Sequence, residues 1–291
     1  MKIVSVILNW NGEKLLPACL HSLVENRPDK VDTNIIVIDN ASADGSADLV
    51  RTKYPGVSLI TLNRYTGISE AKNIGIQAAL KSGADFIWLS ASNVVIQPDF
   101  FAQMLISANH YRDGLVFVPK IYSAAPAREK IIYSAGGSMN WTSLEYTSRG
   151  SGETDTGQYD RDLEVDYSPA TNSFIRVKAF SEAGLFDPRY FILFDDADFC
   201  VRVRRRAYRI IYIFMAVATV YPESNPLDGP AGKYYHTRNR LFFGLQKGSF
   251  STKISLIPQA VNIYFHGEPW ERRAVLDVFT GNMGPGSYQW E

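Results

Sequence analysis

Three short apolar runs, each closed by turn residues and followed by a helical pattern, constrain the fold of this chain more than anything else in it. Lys2 to Leu8 is a nearly continuous β-branched run, as a strand buried on both faces should be. Asn9-Trp10-Asn11-Gly12 breaks it, and Lys14 to Glu25 then carries Leu15, Leu16, Cys19, Leu20 and Leu23 at helical spacing. Asn34 to Asp39 repeats the pattern and runs through Asn40 to Ser46 into a helix over Ala47 to Tyr54. Val57 to Leu62 is a third strand, a Gly67 turn leads to a helix from Ser69 to Ser82, and Asp85 to Ser90 is the fourth strand. Strand and helix alternating at short spacing predict βαβ units and a largely parallel, doubly wound sheet of the α/β class. Such sheets bind ligands outside the carboxyl ends of their strands. Asn9, Asn11, Asp39, Asn40 and Asn93 all fall at those ends, which makes them candidate site residues.

Composition limits the alternatives. The 291 residues suit one large domain with an appendage, and 46% hydrophobic content is ordinary for a globular protein. Thirty basic residues balance thirty acidic ones, so bulk nucleic-acid binding has no electrostatic basis. Cys19 and Cys200 are the only cysteines and lie in apolar helical contexts, which predicts a reducing compartment and no disulfide framework. The first strand starts at once, without a signal peptide, and no apolar run approaches the ~20 residues that span a bilayer. No G-x-G-x-x-G follows the first strand, and there is no Walker loop. The polar stretches Ser123 to Arg128 and Ser148 to Asp160 are expected to be the most mobile loops.

The segments VSVILNWNG (4–12), VIDNASADGS (37–46), GISEAKNIGI (67–76) and VVIQPDF (94–100) resemble the inverting glycosyltransferases of family 2, which have the GT-A fold. EAGLFD (182–187), FDDADFC (194–200) and YYHTRNR (234–240) are similar to later blocks of that family, and DVFTGNMG (277–284) to the tail of its rhamnosyltransferase-like subgroup. The resemblance implies a GT-A domain over 1–224, with a nucleotide-sugar half (1–99) and an acceptor half (100–224), and a C-terminal helical extension over 225–291. It further implies transfer of a hexose or deoxyhexose from a nucleoside-diphosphate sugar to a glycan or lipid-linked acceptor, in the cytoplasm or at the inner face of the plasma membrane. A homodimer stays open, as does membrane contact through Trp270, Phe279, Met283 and Trp290 interleaved with Arg272 and Arg273. So does a non-catalytic GT-A protein that binds nucleotide, glycan or a partner enzyme.

Inverting transfer needs a general base on the acceptor hydroxyl and a counter-charge for the departing diphosphate. The resemblance places the base in the acidic block Asp195, Asp196 and Asp198, with Asp196 matching its Glu-Asp pair, and the nucleoside at Asp39. The same acids also suit the first turn of a helix predicted over Phe199 to Ala207, where they offset its dipole. Asp39, Asn9 and Asn11 read equally as turn formers. Lys72 and Asn73 lie on the helix after Gly67, and Lys72 is in reach of a phosphate or on a solvated face.

The resemblance fails at the metal. Where the family carries two metal-binding aspartates, this chain has Ala91 and Asn93, and Pro222 stands where a late histidine is expected. Hard divalent cations want carboxylate oxygens, so binding of Mg²⁺ or Mn²⁺ is expected to be weak or absent, with Glu223 the nearest acid that could rescue it. Arg238, Arg240, His236 and Lys233 are the candidate replacements, since arginine suits bidentate phosphate contacts. Pro169 departs from a usual glycine and puts acceptor recognition apart from that of relatives.

Overall fold

The structure, a computed structural model, describes residues 1–124, 130–169, 171–222, 227 and 229–288. Its first hundred residues form the expected βαβ units: β1 (Lys2–Asn9), α1 (Leu16–Glu25), β2 (Asp32–Asp39), α2 (Ser46–Lys53), β3 (Ser58–Thr61), α3 (Gly67–Lys81) and β4 (Phe86–Ala91). β1 pairs in parallel with β2 on one side and with β4 on the other, so the order of the strands reverses at β1. A crevice at the carboxyl ends of β1 and β4 is the standard ligand position for such a sheet.

The sheet continues beyond β4 through β11 (Asn172–Arg176), β6 (Gly114–Ser123), β12 (Arg209–Val220) and β10 (Leu163–Glu164). β11 runs antiparallel to both β4 and β6, and β12 is parallel to β6. The short β5 (Val94–Ile96) pairs with β12, and β7 (Ile131–Ser134) with β6. β8 (Gly137–Asn140) and β9 (Glu145–Ser148) make a separate hairpin. A strand from Asp166 to Arg176, as the sequence suggests, does not form. Pro169 has no N–H to give a ladder; Asn172–Arg176 pair with β4, while Tyr167 makes only an isolated bridge to Gly137.

Alternation along β1 sends Ile3 and Ile7 to one face and Val4 and Val6 to the other. The first face is covered by α1, α2 and α4 (Phe100–His110), with Leu16, Leu20, Val50, Phe100 and Met104 in its core. The second is covered by α3, α5 (Lys178–Ala183) and α6 (Asp195–Arg205). A side chain at Gly75 would begin 2.3 Å from Val6 Cγ1, so this glycine lets α3 lie directly on the sheet. Three further helices close the chain, α7 (Pro230–Lys247), α8 (Phe250–His266) and α9 (Pro269–Thr280). α7 contributes Leu241, Phe242 and Phe243 to the second core. Of the apolar tail residues expected to reach a membrane or partner, Trp270 and Met283 pack inward, Phe279 is exposed, and Trp290 lies outside the described residues.

The Ser148 to Asp160 segment is pinned rather than loose. Its Asp155 accepts from the buried Lys120 on β6 at 2.9 Å and from Tyr122. Burial alone raises the Asp155 pKa, but these bonds outweigh it and hold the carboxyl at about 2, below the ordinary 3.8. A depressed carboxylate pKa contributes stability above the unfolded value, which is lost as pH falls through the folded one. Asp155→Asn should therefore cost about 1–2 kcal/mol at neutral pH. The urea midpoints of variant and parent should converge between pH 4 and pH 2. A gap that persists at pH 2 would mean that the carboxylate charge is not the cause. The Ser123 to Arg128 stretch falls largely outside the described residues.

Candidate functional site

At the strand ends, Asn9 and Asp39 are register partners and both are buried. Asn9 Nδ2 donates to Asp39 Oδ2 at 2.8 Å and to Ser46 Oγ at 2.9 Å. Asp39 Oδ1 accepts the Ser42 N–H at 3.1 Å. Asn11, in the left-handed region at φ 53°, accepts the Ala43 N–H at 2.8 Å. These three residues knit the 9–12 turn to the 39–46 turn, as turn-forming side chains do. Asn9 Oδ1 is nevertheless buried with no hydrogen-bond partner, beside Gly12 and Ser92. An unpaired buried acceptor at a ligand crevice is a feature that asks for a donor. Asn40, at first sight a simple turn residue, extends the brace. It accepts from Thr66 N–H at 3.0 Å and donates to Gly67 O at 3.0 Å.

Trp10, at the rim, lies 5.2 Å from the Tyr65 ring, and Tyr65 lies 5.7 Å edge-on to Phe191. This aromatic shelf joins the first strand's turn to the segment before the acidic block. Its members come from three distant parts of the chain, and no spacing in the sequence groups them. Beside it, the Phe191 carbonyl accepts the amides of Ile68 and Ser69 at 2.7 and 3.1 Å. Two of the N-terminal amides of α3 that could otherwise hold a phosphate are thereby already used.

The acidic block separates into three different environments. Asp195 is buried and pairs with the buried Lys72, Nζ to Oδ2 2.8 Å, beneath the Phe186 ring. Lys72 is thus neither on a solvated face nor free for a phosphate. Asp198 is equally buried, held by Arg202 at 2.7 Å and Lys247 at 2.8 Å, and so locks α6 to the end of α7. Buried, with each oxygen held by a cation, it is not placed to take a proton from an acceptor hydroxyl. Asp196 alone keeps partial exposure. Its Oδ2 accepts from Tyr167 at 2.6 Å and its Oδ1 from the Ala197 N–H at 2.8 Å. Burial first, and then the charge of Asp195, push its pKa up, against the smaller opposing effect of Lys72. Tyr167 is itself stacked on Tyr146 at 4.3 Å. The result is a carboxylate of raised basicity, fixed in orientation, which can take a proton.

Several expected binding residues turn out to be structural. Asn73 clamps Phe186, donating to its carbonyl at 2.8 Å and accepting its N–H at 3.0 Å, and is buried. Arg238 is wholly buried. It donates to Gly284 O at 2.7 Å and Tyr190 O at 2.9 Å, and its guanidinium lies over the rings of Tyr234 and Tyr235. It has no donor left for a diphosphate. Arg240 donates to Ser143 O and to Gln259, both at 3.1 Å. His236 lies edge-on to Phe194, and partial burial followed by the Arg240 charge hold its imidazole below the usual range. His236 and Lys233 remain on the exposed side of α7.

At the end of β4, the Asn93 side-chain amide donates to Tyr221 O at 2.8 Å and the Asn93 backbone carbonyl accepts the Tyr221 N–H at 2.9 Å. It ties the two strand ends together and offers a metal only one neutral oxygen. Ala91 and Pro222 offer none, and among the described residues no cluster of three His, Cys, Asp or Glu can hold a metal ion. Glu223 lies outside the described residues. The donor set at this strand end does not fit a hard divalent cation.

The Glycosyl transferase family 2 model matches residues 5–184. A dTDP-rhamnosyl transferase of Shigella flexneri, RfbF, is 25% identical over 272 residues, which cover 87% of this chain and 83% of that one. Among solved structures, GalNAc-T7 with UDP, GalNAc and Mn²⁺ superposes with a TM-score of 0.69 at 16% identity, over 93% of this chain and 52% of that one. Residues 1–349 of TarS from S. aureus, with UDP-GlcNAc, give 0.62 at 13%, over 96% and 79%. These two likenesses concern the GT-A fold. The family match spans more than half of the sequence and contains the strand-end crevice, and on that ground the chain belongs to glycosyl transferase family 2.

Proposed function

We propose that this glycosyltransferase moves a hexose or deoxyhexose from a nucleoside-diphosphate donor to a hydroxyl of a glycan or lipid-linked acceptor, in a single inverting displacement. Asp196 takes the proton of the acceptor hydroxyl, the acceptor oxygen bonds to the anomeric carbon, and the bond from that carbon to the diphosphate breaks. The carrying observation is the Asp196 carboxylate itself, partly exposed, oriented by Tyr167 and raised in pKa. The Shigella relative's name favours a deoxyhexose donor on a thymidine nucleotide, and TarS was captured with UDP-GlcNAc, so both donors belong in the test. The reading assigns donor binding to the half before residue 100, acceptor binding to 100–224 and a supporting role to the helices that follow. Its place is the cytoplasmic side, where polysaccharide intermediates are assembled. No helix among the described residues is long and apolar enough to cross a membrane.

The nucleoside sits at the Asn9–Asp39 strand ends in this reading. Asp39→Ala should weaken nucleoside diphosphate binding by about 1–3 kcal/mol, because it unpairs Asn9 and Ser42 as well as removing a ligand contact. Unchanged affinity in calorimetry would remove Asp39 from the site.

The misfit of the donor set to a divalent cation leaves the diphosphate to cationic side chains, of which Lys233 keeps exposure, with the exposed His236 beside it as a neutral hydrogen-bond donor. Transfer and donor binding should then differ less than about threefold between EDTA and Mn²⁺, well under one kcal/mol. A donor panel run both ways tests the reading as a whole. A strict Mn²⁺ requirement would overturn the metal-independent part, and an absence of turnover with every donor would overturn transfer.

A further inference from the structure

α8 carries an exposed apolar stripe formed by Phe250, Ile254, Ile257, Val261 and Tyr264, with Phe265 beside it. Their separations of four, three, four and three residues place them along one side of the helix, as in a coiled-coil seam. Each is between 41% and 80% exposed, while Leu256 and Ala260 on the adjoining face pack into the protein. The stripe is close to palindromic in character, with aromatic residues at both ends and β-branched residues between them. α8 also contains no acidic residue, and Lys253 and His266 are its only cationic ones.

We propose that this stripe is the contact between two copies of the chain, with the two α8 helices antiparallel about a two-fold axis near Ile257. In that arrangement Phe250 meets Tyr264 of the second copy, Ile254 comes near its Val261, and Ile257 faces its own counterpart. A two-fold interface requires such self-complementarity, since the same patch serves both sides. Aromatic rings then meet aromatic rings, and branched side chains interdigitate as knobs in holes. The low charge of α8 matters too, because an isologous contact sets each side chain against its own kind and would be opposed by a run of like charges. Taking about 200 Å² for a large side chain, the six residues present roughly 700 Å², close to the ~800 Å² that a standard interface takes from each partner. An anionic lipid surface is the less favoured occupant, since a helix bound there carries cations along its polar face and α8 has just Lys253 before its terminal His266.

The test is the mass of the full chain by sedimentation velocity at micromolar concentration, with and without Ile257→Asp. The parent should sediment at twice the 32.6 kDa chain mass, and the variant at the single mass. Because Ile257 is exposed, the circular dichroism spectrum and urea midpoint should be unchanged, which separates dissociation from misfolding. Ile257→Cys adds a geometric test. A residue near the axis should give a covalent dimer in high yield with a short bis-maleimide, while Cys19 and Cys200 are buried and contribute none. A monomeric parent, or a dimer that survives Ile257→Asp, overturns the proposal. So does a monomer that sediments with anionic phospholipid vesicles and loses that binding on Ile257→Asp, which would assign the stripe to a lipid surface.

Discussion

Asp196→Asn should lower the transfer rate by roughly 10²–10⁴, about 3–5 kcal/mol of transition-state stabilisation, with little change in donor affinity. Asparagine keeps the shape; its oxygen can still accept the Ala197 N–H and its amide nitrogen can donate to the Tyr167 hydroxyl, but it cannot take a proton. In the parent enzyme the acidic limb of the kcat/KM profile should lie above the ordinary aspartate value of 3.8, since burial and the neighbouring Asp195 raise this group. The sign for stability is opposite to that of Asp155. A carboxyl whose folded pKa is raised is a burden once ionised, and the burden appears as pH rises through that pKa. The variant should accordingly be as stable as the parent at neutral pH, or more so, so loss of rate cannot be ascribed to unfolding. Near-normal turnover in the variant would move the base to another group, and Asp195 and Asp198 are poor heirs because each is buried against a cation.

That one acid of three is accessible was not legible in the sequence. Asp195, Asp196 and Asp198 share one helical turn, and what separates them is Lys72, Tyr167, Arg202 and Lys247. Three of these four partners come from outside the helix, and sequence spacing does not report such contacts. β1, β4 and the second half of β2 were legible because they are buried on both faces, which makes composition alone a sufficient signal, whereas the edge strand β3 is half-exposed and was legible from its place in the βαβ alternation. The position of the crevice followed from topology. The sequence leaves Asn73 and Arg238 as candidates for the ligand crevice and Lys72 between a phosphate and a solvated face. Each instead satisfies buried backbone or a buried charge. The alternation of apolar residues that finds a strand carries no information on which way a polar side chain at its end or on the next helix is turned. That Ala91 and Pro222 offer no side-chain ligand, by contrast, follows from their identity in any conformation.

Arg238→Met should destabilise the protein by about 3–5 kcal/mol and lower activity beyond what the loss of folded protein explains. Phe191, Leu193 and Phe194 all have φ between 64° and 69°, a region that non-glycine residues rarely occupy. Three such residues in four, immediately before Asp195, need outside support to persist. α7 supplies it. Arg238 holds the Tyr190 carbonyl, and Asn239 Nδ2 lies 2.7–3.0 Å from the carbonyls of Tyr190, Ile192 and Leu193. The same guanidinium grips Gly284 in the C-terminal tail, so one side chain joins α7, the strained turn and the tail. Methionine fills most of the volume but leaves those carbonyls without their charged donor. The turn should then relax toward ordinary backbone angles and carry the start of α6, with Asp195 and Asp196, out of place. Since Asn9 and Asp39 lie on other strands, donor affinity of the folded fraction should stay near that of the parent while kcat falls. Arg238→Lys keeps the charge yet cannot fork between Tyr190 and Gly284, and should fall between the two. If Arg238→Met lost stability but kept full kcat per folded molecule, the arginine would be a support for the fold alone, and the geometry before α6 would owe nothing to it.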